Sequence, residues 1–199
     1  MNETTAMEVT VLPTRPHLIE GPRLNLRDLC AEDANDTYAR WMNDPEVTRY
    51  TENRDRCHTY ESLLNYIQIM SDSPYNLFLA IVAKESKRHI GNIKLGSINP
   101  IHLTADIGII IGEKDYWGQG LASEAINLLA EYAFDVIGLY KLTAGAYTIN
   151  KGSIRAFKKS GFKIEGVLKK QCVSNDGRID VTLMGRLCKT ANNTYKVLS

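Results

Sequence analysis

Between an apolar run that ends at Ile111 and a long amphipathic segment that begins at Leu121 lies Tyr116-Trp117-Gly118-Gln119-Gly120-Leu121-Ala122. Glycines there let the main chain turn tightly, and small residues beside a helix start let an anion approach its first free N–H groups. The partial positive charge of a helix N-terminus adds to the attraction, so the turn suits the diphosphate of a nucleotide-containing cofactor. A plain strand-to-helix turn explains the same residues equally well. A Walker A loop is excluded, because Ala122-Ser123 stands where Gly-Lys-Ser/Thr would close it, and no G-x-G-x-x-G is present. A second stretch, Thr148-Ile149-Asn150-Lys151-Gly152-Ser153, opens a short helix that closes at Gly161-Phe162. Asn150 and Ser153 there serve either as caps or as hydrogen-bonding groups for a ligand. His102 offers an imidazole that titrates near neutral pH, and Glu113 a charge that attracts a cationic acceptor.

The elements that must hold these groups follow from periodicity. Leu24 and Leu26 alternate with polar residues as in a strand with one buried face. A helix through Ala34, Tyr38 and Trp41 stops near Asn43-Asp44-Pro45, and Thr59 caps a second carrying Tyr60, Leu63, Leu64, Ile67 and Met70 on one side. Residues 76–83, 90–98 and 105–111 read as an antiparallel meander. Leu121, Ala125, Leu128, Leu129, Tyr132 and Val136 form the stripe of a four-turn helix. A strand over 141–147, a helix over 152–160 and strands over 162–171 and 180–187 complete the chain, with Ser174-Asn175-Asp176-Gly177 as the last hairpin turn. The fold class is α+β: a single domain, residues 21–189, with a mixed sheet of about seven strands flanked by about four helices. Residues 1–20 and 190–199 read as tails.

Composition narrows the function. The 199 residues are 44% apolar and 24% charged, with a net charge of +1, which suits one globular domain and gives no footprint for nucleic acid. Cys30, Cys57, Cys172 and Cys188 form no C-x-x-C, and His17, His58, His89 and His102 have no ligand spacing, so no metal is expected. Reduced thiols, the lack of a signal-peptide pattern and the lack of an 18-residue apolar run point to a cytoplasmic protein that neither spans nor needs a membrane.

Four stretches together resemble the GNAT superfamily of acetyl-CoA-dependent N-acetyltransferases, and within it the branch of ribosomal-protein alanine acetyltransferases. They are residues 41–47 (WMNDPEV), 105–112 (ADIGIIIG), 116–125 (YWGQGLASEA), and Asn150-Lys151-Gly152-Ser153 through Gly161-Phe162. The resemblance covers roughly residues 22–188 and is specific for fold and cofactor, much less so for the acceptor. It implies that the main chain of Ile109, Ile110 and Ile111 pairs with the pantetheine arm. It implies also that Trp117, Gly118, Gln119, Gly120, Leu121 and Ala122 hold the pyrophosphate, with Trp117 where the family carries Arg or Gln. Asn150 corresponds to an asparagine that bonds the cofactor arm, and Ser153 to a serine near the thioester sulfur. Asp106 stands where the branch often carries an acid, the expected general base, with His102 the second candidate. Phe157 replaces a family tyrosine that protonates the leaving thiolate, which leaves Ser153 or a water for that step.

Transfer to an amine needs a neutral nucleophile, and an alkylammonium of pKa near 10.4 is only about 0.04% neutral at pH 7, so a nearby carboxylate is useful. The expected course is direct attack in a ternary complex. The acceptor site is expected to draw on Tyr38, Trp41, His102 and Glu113, and the acceptor to be a small-molecule amine or amino-sugar nucleotide. A protein N-terminus and a non-catalytic acetyl-CoA-binding module are the alternatives. A homodimer is compatible with the sequence.

Overall fold

The computed structural model describes residues 12–13, 15–52, 54, 56–174 and 177–189. Eight strands form one sheet: β1 (Leu18–Glu20), β2 (Leu24–Asp28), β3 (Leu77–Ala83), β4 (His89–Asn99), β5 (Thr104–Ile111), β6 (Lys141–Tyr147), β7 (Lys163–Ser174) and β8 (Gly177–Leu187). Five α-helices accompany them: α1 (Asp36–Asn43), α2 (Pro45–Thr48), α3 (Tyr60–Asp72), α4 (Leu121–Asp135) and α5 (Lys151–Lys159). The spatial order is β1-β2-β3-β4-β5-β6-β8-β7, and every neighbour is antiparallel except β5 and β6.

Period-two alternation gives the sheet two apolar faces, each with its own core. Leu77, Leu79, Ile81, Ile93, Leu95, Ala105, Ile107, Leu142 and Ala144 pack beneath α4 and α5. On the opposite face Phe78 and Ala80, with Val82 and Ile110, meet Tyr38, Trp41, Met42, Leu63 and Ile67 of α1 and α3. The expected Thr59 cap is present: its hydroxyl accepts from the Ser62 amide while Ser62 Oγ accepts from the Thr59 amide.

One boundary needs correction, and two approximate counts become definite. Residues 18–20, assigned above to a tail, form β1; His17 is buried, and its amide and Nδ1 bond the Asp28 carboxylate at 2.7 and 3.0 Å. Strand count rises from seven to eight for that reason, and helix count from four to five. The extra helix arises at Pro45, which stops α1 and, with its fixed φ, starts α2 behind the Asp44 cap. Residues 1–11, 190–199 and the turn residues Asn175 and Asp176 lie outside the described residues.

Candidate active site

The parallel pair that joins the two halves of the sheet is short. Thr104, Ala105 and Asp106 pair with Lys141, Leu142 and Thr143, and there the register ends, although β5 runs on to Ile111 and β6 to Tyr147. From Asp106 to Ile111 the strand covers roughly 17 Å at about 3.4 Å per residue. Along that length β5 has an edge without a strand beside it. Antiparallel pairing decides which groups face it: the Gly112 amide bonds Ile90 O, so the main chains of Gly112, Ile110 and Gly108 turn toward β4, and those of Ile107, Ile109 and Ile111 toward the opening. The main chain of Ile110, expected to bond a ligand, is therefore committed to the sheet, whereas that of Ile107 faces the opening.

The mouth of the opening is the glycine turn. Gly118 and Gly120 have φ of +77° and +79°, a conformation open to glycine at little cost. Gly120 starts α4 without a capping side chain, so the first-turn amides of a fifteen-residue helix face outward. Arg23 stands alongside, its Nη1 donating to Gln119 O at 3.0 Å and its Nε to Glu124 Oε2 at 2.7 Å. Two side chains of the turn brace it from within. Trp117 Nε1 donates to Ile111 O at 2.8 Å, and Gln119 Nε2 to Asp115 O at 2.7 Å. At the end of β6, Asn150 Oδ1 accepts from the Ser153 amide at 3.1 Å and caps α5, while its amide nitrogen has no acceptor among the described residues. Phe157 is fully buried, edge-on to Phe162 in the core.

The closed end of the opening is marked by Asp106, which points to the α1/α3 side of the sheet, as do Lys94, Thr143, Gly145 and Tyr147. A Cβ built on Gly108 meets nothing within 4 Å, so a hollow lies above it. Thr143 Oγ1 donates to Asp106 Oδ2 at 3.3 Å. Asp106 is exposed beside this open hollow, and desolvation by the surrounding protein pushes its carboxyl above the ordinary range against the pull of Thr143 and Lys94. At the far end Tyr147 Oη donates to Glu52 Oε1 at 2.6 Å and accepts from Arg54 Nη1 at 2.9 Å. Burial and the Glu52 bond push that phenol up to about 12. Arg54 Nη2 also reaches Val173 O, which ties this residue to β7.

The sequence profile of the acetyltransferase (GNAT) domain matches residues 23–163. The chain belongs to the GNAT acetyltransferases. An uncharacterised N-acetyltransferase of Bacillus subtilis, YoaA, is 31% identical over 168 residues, 83% of this chain and 94% of the relative. The spermidine N(1)-acetyltransferase of Escherichia coli is 40% identical over 78 residues, 39% of this chain and 41% of that enzyme. A solved ribosomal L7/L12 alpha-N-protein acetyltransferase in complex with coenzyme A shares the fold, with a TM-score of 0.78 at 18% identity over 88% of this chain and all of the other. This GNAT protein is accordingly an acetyl-CoA-dependent N-acetyltransferase.

Membership does not rescue the acceptor residues expected above. Tyr38 and Trp41 are buried in the second core, where the Trp41 ring lies on Gly112. Glu113 is buried as well, its oxygens engaged by Trp41 Nε1 at 2.8 Å, Arg88 Nη2 at 2.6 Å and Arg40 Nη2. A buried carboxylate needs such partners, and they hold it in a structural role. His102 is exposed in the β4–β5 connector, beyond the closed end of the opening, where Leu103 O accepts from the Tyr140 amide. Lys94, Tyr66, Thr143, Tyr147 and Glu52 were not singled out by sequence. Only the alternation of Lys94 between Ile93 and Leu95 hinted that an ammonium faces this side.

Proposed function

We propose that this GNAT enzyme moves the acetyl group of acetyl-CoA to the primary amine of a small molecule, by direct attack in a ternary complex, with Asp106 as general base. The observation that carries the reading is the opening between β5 and β6, with a helix-start anion cradle at its mouth and a carboxylate at its closed end. The pyrophosphate would rest on the amides of residues 118–122, the pantetheine arm would pair with Ile107 and Ile109, and Asn150 would donate to an arm carbonyl. That arrangement puts the thioester near Asp106 and aligns strand amides with its carbonyl oxygen.

In this reading Asp106 takes the ammonium proton, directly or through water, and the freed nitrogen attacks the thioester carbon. The carbon–sulfur bond then breaks as the nitrogen gives its second proton to water, and coenzyme A leaves as a thiolate. Phe157 has no proton to supply. Ser153 Oγ or water serves that step, and a thiolate is stable enough to leave without it. The partial match to a spermidine acetyltransferase supports a small-molecule amine, and the free thiols support a cytoplasmic setting. No helix among the described residues is long and apolar enough to cross a membrane.

The test is thiol release from acetyl-CoA against small amines, amino-sugar nucleotides and peptide N-termini, with mass spectrometry of the products. Acetylation of a small amine supports the reading. Acetylation of peptides alone would overturn its acceptor half, and acetyl-CoA binding without any product would overturn its catalytic half.

A further inference from the structure

The hollow above Gly108 holds two opposite charges that face the same space without pairing. Lys94 lies on β4 between Ile93 and Leu95, whose side chains enter the α4 core, so its own side chain emerges on the Asp106 face. Its course is set by Gly96, the register partner of Asp106. A Cβ on Gly96 would lie 3.1 Å from Lys94 Cε and 3.6 Å from Cδ, so the stem lies over the glycine that pairs with Asp106. There the ammonium makes one long bond, 3.4 Å to Tyr66 Oη, and Asp106 accepts one, 3.3 Å from Thr143. Among the described residues neither side chain has another hydrogen-bond partner. An ammonium has three donors and a carboxylate two oxygens, so both keep most of their capacity for a ligand.

We propose that the acceptor is an amine carrying its own anionic group, a carboxylate or a phosphate a few bonds from the nitrogen, with Asp106 taking the ammonium end and Lys94 the anionic end. This deepens the acetyltransferase reading of the same site and rests on it. A polyamine fits the charges poorly, because its second ammonium meets the Lys94 ammonium in the hollow. A simple alkylamine satisfies Asp106 and leaves the Lys94 ammonium with Tyr66 alone.

The experiment compares kcat/KM for amines of three to six carbons in matched sets: ω-aminoalkanoates, ω-aminoalkyl phosphates, simple alkylamines and α,ω-diamines. In the native protein an anion-bearing amine is expected to exceed the diamine of equal length by at least about tenfold. The carboxylate and phosphate arms then distinguish the two anions. Lys94→Met keeps the stem and is expected to erase the preference through KM, with kcat changed less. Lys94→Arg should retain the preference and Lys94→Glu reverse it toward diamines, each variant first checked for a native melting temperature. A native preference for diamines, a ratio unmoved in Lys94→Met, or no turnover of any amine while acetyl-CoA binds would each overturn the proposal. Absence of acetyl-CoA binding by calorimetry would instead overturn the acetyltransferase reading beneath it.

Discussion

In the proposed reading Asp106 is the general base, and its surroundings set what its removal should do. Desolvation raises its carboxyl, while the Thr143 bond and the Lys94 charge pull the other way. A raised carboxyl is a stronger base once ionised, which suits the capture of an ammonium proton. In that reading the active forms are the carboxylate and the ammonium, so kcat/KM should climb with pH as Asp106 ionises and fall as the amine itself loses its proton. Asp106→Asn should lower kcat about 10²- to 10⁴-fold and abolish the acid-side rise. A pH–rate profile of both proteins checks it; survival of that rise in the variant would assign it to another group. At this scale the sequence was half legible. Gly118, Gly120 and Asn150 declare themselves, since the first two must turn the chain and the third caps a helix, all local acts. Lys94, Tyr66, Thr143 and Glu52 come from four distant segments, and only the paired strands put them around one hollow.

Two glycines carry the elements that frame the opening, for different physical reasons. Gly120 holds φ of +79° at the start of α4. Gly120→Ala should cost about 1 kcal/mol and, by shifting the amides of the anion cradle, raise KM for acetyl-CoA more than it lowers kcat. Steady-state kinetics with acetyl-CoA varied tests this, and an unchanged KM would remove the turn from the cofactor site. Gly112 is needed for closeness: a Cβ there would come within 2.1 Å of the Trp41 ring, itself tied to buried Glu113. Gly112→Ala should therefore destabilise the protein by roughly 3 kcal/mol through overpacking, read as a fall in melting temperature with acetyl-CoA affinity largely kept in the folded fraction. Periodicity located both glycines at strand or helix ends, as it located the longer elements. It missed β1, whose three residues are too few to show a period, and α2, a single turn started by Pro45. It also could not reveal where β5 and β6 part, because that depends on pairing between segments thirty-seven positions apart.

Across the whole molecule, the α1–α3 layer must stay docked on the sheet for the hollow to have a wall, and Asp33 is a principal tie. It is buried, with Oδ2 and Oδ1 accepting from Arg27 Nη1 and Nη2 at 2.7 and 2.8 Å, and Oδ2 also accepting from the Cys30 amide at 2.9 Å. His89 of β4 approaches Oδ1 at 3.5 Å and packs edge-on to Trp41, so the cluster links β2, β4 and the second core. Burial alone would push the Asp33 carboxyl up, yet Arg27, the Cys30 amide and His89 outweigh it and hold it at about 2. A carboxyl depressed on folding stabilises the protein above its unfolded pKa near 4, and that contribution fades as pH falls through 2. The depression corresponds to about 2 kcal/mol. His89 acts in the same direction at higher pH: burial lowers its pKa, so acid below about 6.5 favours the unfolded chain, where the imidazole charges freely. Stability should thus decline in two stages on acidification. Asp33→Asn should lower it by about 2 kcal/mol at pH 7 and flatten the stage between pH 4 and 2, leaving the His89 stage in place. Urea unfolding of the native protein and the Asp33→Asn variant across pH 7 to 2.5 reads both stages. Parallel curves down to the lowest pH would show that the Arg27–Asp33 pair is not what holds the layer to the sheet, whereas converging curves would place the tie there.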